Sequence, residues 1–331
     1  MIRRISLFIG ILFAVGMICV PPTSAASGPL APTKGGFPAK PITILVPSSP
    51  GGGWDLTARS IQQTLASEKI LPVAVEVINK PGAGGITGLA DYVARKDPNT
   101  MMAFGTAMVT SIMINKSPYN FKNVTPLARL TSEHNVIAVS ASSKYKDFKE
   151  LLADFKKSPK SITWGGGAPG SLDHAMVAMI AMALGVDIKD VNYVAFSGAD
   201  ALPVVMSNQV TCGVSGYAEY KPHLDAGKLR FLAYSSEKRL ANDPTPTIKE
   251  SGLDVVVENW RGIAASPGIS ADNYAWLVEA VTRMHGSKAW KDLLIKYGWG
   301  DVFLAGDGFK KFVDKESETY GKVLKATGII Q

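Results

Sequence analysis

The sequence predicts an α/β protein of two doubly wound lobes joined by two crossings of the chain, and three observations carry that prediction. From about residue 38, short β-favouring runs alternate with amphipathic helical stretches, the mark of a parallel sheet covered by helices. Two of these runs break into consecutive glycines that open directly into a helix: Pro41–Pro47 into Ser48-Ser-Pro-Gly-Gly-Gly-Trp-Asp55, and Ser161–Trp164 into Gly165-Gly-Gly-Ala-Pro-Gly-Ser-Leu-Asp-His174. The last third, from about Ser236, has too few strands for a sheet of its own and is expected to return to the first lobe. The expected boundaries are residues 38–135 with 236–331 for lobe 1 and 136–235 for lobe 2.

The chain begins with a secretory pattern over residues 1–26. Arg3 and Arg4 precede an apolar run from Ile5 to Val20, and Thr23-Ser-Ala-Ala26 supplies small residues for cleavage. That run is about 16 residues, short of the ~20 that a membrane span needs. Residues 27–37 read as a flexible leader. Ile42 to Val46 is a continuous β-favouring run, as in a strand covered on both faces. After Asp55 the residues Ala58, Ile61 and Leu65 share one helical face. Val73–Ile78 is the next strand; it ends in Gly82-Ala-Gly-Gly85, after which Ile86, Leu89, Ala90, Val93 and Ala94 repeat at helical spacing. Met101–Phe104 is a short strand stopping at Gly105-Thr106.

A second series starts at Val136–Val139. Asp147 and Glu150 then stand at cap and third-residue spacing before the helix Leu151–Lys157. Ser161–Trp164 is the strand before the second glycine loop, and Leu172, Met176, Met179, Ile180 and Ala183 line one side of the helix beyond it, read as core filler. Val191–Phe196 is a strand, Ser197-Gly-Ala-Asp200 opens a short helix, and Val210–Val214 and Leu229–Ala233 complete this half. The final third carries Asp254–Glu258, Asn259-Trp-Arg-Gly262 and two helical patterns near 271–285 and 307–326.

Composition narrows the function classes. At 331 residues, with 46% hydrophobic and 19% charged residues, the chain can bury two ordinary domains. Without the signal segment Cys212 stands alone, so no intrachain disulfide is expected. The net charge of +7 suits an anionic partner, while the scatter of Lys and Arg without aromatic interleaving argues against nucleic acid. A helix start reached through glycine exposes unpaired backbone N–H groups and the positive end of the helix dipole. Two such starts, about a hundred residues apart, suggest a small anion gripped from two sides in a cleft between lobes.

Ile42–Arg59, Asn79-Lys-Pro-Gly-Ala-Gly-Gly85, Thr125-Pro-Leu-Ala-Arg129, the second glycine loop with Ser171 and His174, and Asn259-Trp-Arg-Gly262 together resemble one family. It is the Bug-type periplasmic receptors of tripartite tricarboxylate transporters, and the first loop and the Asn-Trp-Arg-Gly segment look closest to the tricarboxylate-binding branch. The resemblance implies a type II periplasmic binding protein, monomeric and free of cofactor or metal. It would capture a small di- or tricarboxylate, citrate-like, and deliver it to the membrane permease subunits. By position it points to Ser49, Gly51, Gly52, Gly53 and Asp55 in the first loop, and to Thr106 after the third strand. It adds Gly167, Ala168, Gly170 and Ser171 in the second loop and Ser197, Gly198 and Ala199 in the third. Such sites hold carboxylates with backbone amides, hydroxyls and ordered water. Asp55 is read as a cap that orders its loop. Arg261 is either a bidentate partner for a second carboxylate or the ion-pair partner of an acidic neighbour, and Arg59 is read as a structural ion pair.

Alternatives within and beyond this class are a receptor for another organic acid and a secreted hydrolase or isomerase on a similar cleft. Gly165-x-Gly167-x-x-Gly170 fits a dinucleotide fingerprint formally, but no acidic residue ends the next strand and Pro169 interrupts the loop. Ser171, Asp173 and His174 are triad residue types crowded onto one helical turn, which does not make a relay. His134, His174, His223 and His285 have no metal-ligand spacing. No enzymatic activity is therefore expected.

Overall fold

The computed structural model describes residues 28–167, 169–196, 201–240 and 243–331. The signal segment expected over residues 1–26 lies outside them. Among the described residues no helix is long and apolar enough to cross a membrane.

Three strand–helix units open the chain: β1 (Ile42–Val46) and α1 (Gly53–Ser67), β2 (Val75–Asn79) and α2 (Ile86–Arg95), β3 (Thr100–Gly105) and α3 (Thr106–Ile114). β1 lies between β2 and β3, parallel to both, with Ile42 opposite Val75 and Ile44 opposite Met101. The long β4 (Thr125–Ser140) follows, then α4 (Phe148–Lys157), β5 (Thr163–Gly166), α5 (Leu172–Leu184), β6 (Asn192–Ala195), α6 (Ala201–Met206), β7 (Cys212–Gly216), α7 (Tyr217–Asp225) and β8 (Leu229–Tyr234). The chain ends with β9 (Glu258–Ala265), α8 (Ala271–Gly286), α9 (Lys288–Tyr297), β10 (Gly300–Ala305) and α10 (Gly306–Ala326). The strand order is β2-β1-β3-β9-β4-β7-β5-β6, with β8 and β10 also paired to β4.

β4 positions everything else. Its residues Thr125–His134 pair antiparallel with β9, and Asn135–Ala138 pair with β7, so one strand belongs to both halves of the sheet. The chain returns between the halves after β8, where buried Ser235 gathers the crossings. Its amide donates to Asn135 O (3.0 Å) and its hydroxyl accepts the Asn135 amide (3.0 Å) and donates to Val257 O. The Val257 amide donates back to Ser235 O (2.8 Å).

Each face of each half is covered. Ile61 and Leu65 of α1 pack with Trp276 of α8 and Trp290 of α9 on one face of the β1–β3 sheet. Leu89, Met108, Phe309 and Val313 of α2, α3 and α10 cover the other. In the second half Phe148, Leu151 and Phe155 of α4 meet Trp164 and Met176, while Leu202, Val205 and Tyr220 of α6 and α7 cover the reverse side. α5 is apolar almost all round because it is buried on two sides: Met176 and Ile180 enter the second core, and Ala175 and Ala178 pack into the cluster containing Phe309 of α10. The expected core stripe is thus only partly right, since Met179 is half-buried and Ala183 exposed.

Three features differ from the sequence reading. β4 starts at Thr125, eleven residues before the expected Val136, because its polar stretch Thr131-Ser-Glu-His134 is drawn into the sheet by pairing with β9. Residues 254–257 form no ladder; Val255 and Val257 fill the second core. α9 and β10 were not anticipated, and β10 adds to β4 alongside β9.

Candidate ligand-binding site

The first glycine loop leaves β1 at Val46 and enters α1 through Gly52, which caps the helix without a side-chain hydrogen bond. The first-turn amides of Gly53, Trp54 and Asp55 have no helical carbonyl to donate to. Ser49, Gly51 and Gly52 of the loop are exposed, and Gly53 and Trp54 at the helix start are half-buried. Asp55 is buried beneath it. One carboxylate oxygen accepts the Gly51 amide (2.9 Å) and Arg59 Nε (2.9 Å), and the other accepts Asn79 Nδ2 (2.9 Å). Burial works to raise the Asp55 pKa, but these three hydrogen bonds and the Arg59 charge outweigh it and hold the carboxyl below its usual range. Asp55 thus orders the loop, and Arg59 is engaged with it. Trp54 covers the loop's flank: methyl groups built on Gly85 and Gly105 would lie 3.0 Å and 3.1 Å from its ring.

Arg261, on β9, lies directly against this helix start. A methyl group on Gly53 would fall 2.6 Å from its Cζ, so only glycine admits the guanidinium there. The guanidinium is already held: Nη1 donates to Glu133 Oε1 (2.9 Å) and Nη2 to Glu133 Oε2 (2.7 Å), while Trp299 Nε1 donates to the same carboxylate (3.3 Å). Of the two readings of Arg261, the structure displays the ion pair. Thr106 is likewise engaged, donating from Oγ1 to Glu258 O (2.9 Å) and accepting the Trp260 amide (3.1 Å), which ties α3 to β9.

The second loop differs from the first. Ser171 caps α5 by accepting the His174 amide at 3.4 Å. The Gly170 amide donates to His174 Nδ1 (3.1 Å), and the His174 ring stacks on Tyr193 with centroids 4.5 Å apart. Tyr193 donates to Gly167 O (2.8 Å). Gly170 has φ +81°, a left-handed conformation that favours glycine, and a methyl there would sit 2.9 Å from Ile114 Cδ1 and 3.5 Å from Ile329 Cδ1. The Gly167 amide is bound internally, donating to Asp173 Oδ2 (2.9 Å). Asp173 Oδ1 accepts Asn135 Nδ2 (2.5 Å). Burial pushes the Asp173 pKa up to about 6, Glu219 adds to the rise, and the Gly167 and Asn135 hydrogen bonds offset part of it. Burial also lowers the His174 pKa. Ser171 takes the His174 backbone amide, Asp173 the Gly167 and Asn135 donors and the His174 ring the Gly170 amide, so the three side chains form no relay.

One face of β4 connects the two loops. Glu133 and Asn135, two residues apart on the strand, share a face; the first holds Arg261 against the first loop and the second holds Asp173 at the second. Ala168, Ser197, Gly198 and Ala199 lie outside the described residues. Glu133, Asn135, Asp173 and Tyr193 escaped assignment from sequence. Only the alternation Glu133-x-Asn135 within a strand could have flagged the first two, and that strand half was unread. A broad cleft of about 1360 Å³ opens on the other face of β4 and β9, framed by Arg129, His134, Glu258, Trp260 and Glu316. None of the residues expected to bind ligand lines it; of its rim charges Lys249 pairs with Glu237, and Arg239 with Glu250 outside the cleft.

Comparison with known proteins gives the family and the fold. The family model described as "Tripartite tricarboxylate transporter family receptor" matches residues 57–329. The chain belongs to this receptor family. The receptor is 26% identical to BugT of Bordetella pertussis over 319 residues, covering 92% of this chain and 94% of BugT. It resembles a TctC solute-binding protein from Polaromonas, solved without ligand, with a TM-score of 0.78 and 26% identity over 87% of this chain and 99% of that one. It also resembles MatC from Rhodopseudomonas palustris, solved with bound malate, with a TM-score of 0.61 and 25% identity over 87% of this chain and 100% of that one. The receptor is thus a solute-binding protein of the Bug type with the fold of type II periplasmic binding proteins.

Proposed function

We propose that this receptor captures a small di- or tricarboxylate, malate-like or citrate-like, between its two glycine loops and delivers it to the membrane subunits of a tripartite transporter. The lobes in this reading are residues 38–135 with 236–331 and residues 136–235, and the protein works as a periplasmic monomer after losing residues 1–26. It performs no chemistry on its cargo; its task is a shift from open to closed on binding. The observation that carries the reading is the joining of two glycine-opened helix starts, α1 and α5, through Glu133 and Asn135 on one face of a strand common to both halves. The Gly53 and Trp54 amides at the start of α1, which have no helical carbonyl to donate to, supply donors for a carboxylate, and the nearby Arg261–Glu133 pair backs them. Binding of malate by MatC supports a small dicarboxylate as cargo.

Thermal-shift and calorimetric titration over citrate, malate, succinate, adipate and benzoate test this. A true ligand near 100 Kd should add about 2.7 kcal/mol of stability. Gly52→Val should abolish that binding yet keep the far-UV spectrum. A methyl at Gly52 meets only Ser49 O at 3.5 Å and Ser48 Oγ at 3.6 Å, so the fold can accept it. No stabilisation by any organic acid, or turnover of one of them, overturns the receptor reading; unchanged affinity in Gly52→Val removes the first loop from the site.

A further inference from the structure

We propose that the cleft behind β4 and β9 is a second binding site, built for a small organic ammonium ion and separate from the two glycine loops. It goes beyond the receptor reading given above and stands or falls by itself.

The floor of this cleft is one face of the β4–β9 ladder. His134 stands opposite Glu258 and Ser132 opposite Trp260, so the four side chains are cross-strand or next-but-one neighbours. His134 is only 8% exposed, yet its ring lines the cleft, and its Nδ1 has no partner among the described residues; nor has Ser132 Oγ beside it. A methyl on Gly300, in the cleft wall, would lie 2.7 Å from Ser132 Oγ and 3.1 Å from His134 Nε2, so only glycine leaves room at these two groups. The Glu258 carboxylate accepts no hydrogen bond from the described residues, and Glu316 takes one, from Trp260 Nε1 at 2.9 Å. Burial lowers the His134 pKa against the pull of Glu258 and Glu133, so the ring is neutral at pH 7.5 and one of its nitrogens is an acceptor. The floor is thus a set of acceptors short of donors, an arrangement that is costly to bury.

Charge selects what can supply those donors. Arg129 acts on both carboxylates, but its Nε is bound to Val302 O (2.9 Å) and its guanidinium lies over the Phe312 ring, 4.1 Å from the centroid. Lys315 helps Glu316 from the exposed side of α10. Burial, with Glu258 adding to it, still keeps the Glu316 pKa raised. A further cation is favoured beside these carboxylates, and an anion is not. A metal ion is a poor match, since among the described residues no group of three His, Cys, Asp or Glu side chains could hold one. A primary ammonium has three N–H donors to share among Glu258, Glu316 and His134, and Trp260 offers its charge an aromatic wall. Its carbon chain has Met179 and Met182 of α5 to lie against, the latter 45% exposed.

Calorimetric titration at pH 7.5 and constant ionic strength tests the site, with butylammonium and 1,4-butanediammonium set against tetramethylammonium, potassium and butanol. At least one of the two primary ammonium ions should bind saturably. It should bind roughly tenfold or more tightly than tetramethylammonium, which has the charge without an N–H donor, and than butanol, which has the chain without the charge. Glu258→Gln should weaken that binding by about tenfold or more. The Glu258 carboxylate holds no other side chain, so the melting midpoint of this variant should not fall. In NMR spectra of the wild type, the imidazole signals of His134 should shift during the titration while those of His223 on α7 stay. Gly52→Val should bind the amine as the wild type does. No saturable binding by either primary ammonium ion, equal binding of tetramethylammonium, or unchanged affinity in Glu258→Gln overturns the inference and leaves the receptor reading untouched. An unmoved His134 signal overturns it whatever the variant does, and loss of amine binding in Gly52→Val overturns it by placing the amine at the first glycine loop.

Discussion

Asp55 and Asp173 each stand in the first turn of a helix entered from a glycine loop, Asp55 buried and Asp173 half-buried, yet their surroundings drive them in opposite directions. Asp173, pushed up to about 6, binds a proton in the folded state that the unfolded chain has already released. Stability should therefore fall as pH rises from about 4 to 6, by on the order of 3 kcal/mol, and level off above. Asp55, held below its usual range, contributes stability above pH 4 that is lost on further acidification. Urea midpoints between pH 3 and 7 would separate them: Asp173→Asn should remove the slope between 4 and 6 and leave the acid limb. A second residue-scale prediction concerns Gly53. Gly53→Ala must push the Arg261 guanidinium off Glu133, costing roughly 1–3 kcal/mol, since one partner of the pair is substantially solvent-exposed. The loss should be strongly non-additive with Arg261→Ala in a double-mutant cycle; additivity would mean the two groups do not meet.

Among the elements, those with local signals were legible. β1, α1, the loops after them and α10 follow from runs, glycines and helical spacing within a dozen residues of sequence. The Asp147 cap of α4 was legible for the same reason and is seen, with the Glu150 amide donating to its side chain. β10 and the first half of β4 were not, because what makes them strands is each other and β9, partners more than a hundred residues away. The same limit applies to the site. Glycine loops announce themselves, whereas the engagement of Arg261 by Glu133 and of Gly167 by Asp173 depends on how β4 crosses them. β9 is the element on which most converges, through Trp260: fully buried, edge-to-face with Phe104, Phe309 and Phe312, and donating from Nε1 to Glu316 at 2.9 Å. Trp260→Ala should cost about 3–5 kcal/mol in chemical denaturation, a core truncation that also strips a half-buried carboxylate of its donor. A cost below 1 kcal/mol would show that α10 does not rely on this contact.

At the scale of the whole molecule, motion between halves must pass through β4 and the return crossing, and Ser235 pins both at one point. Ser235→Ala would leave the Val257 carbonyl and the Asn135 amide each short of a partner, at roughly 1–3 kcal/mol. The amide of Asn135 should then exchange hydrogen faster while amides in α1 keep their protection. Uniform acceleration everywhere would mean a global loss of stability and not a loosened hinge.

Gly170 carries a consequence at the same scale. Its backbone rests on Ile114 at the end of α3 and on Ile329 beyond α10, so the shape of the second loop is set partly by side chains far from it in sequence. Trimming the tail after Leu324, or fusing a bulky purification handle there, will remove or crowd that aliphatic footing. In the binding mode proposed above, preparations that differ only in their last few residues should report different affinities for the same metabolite.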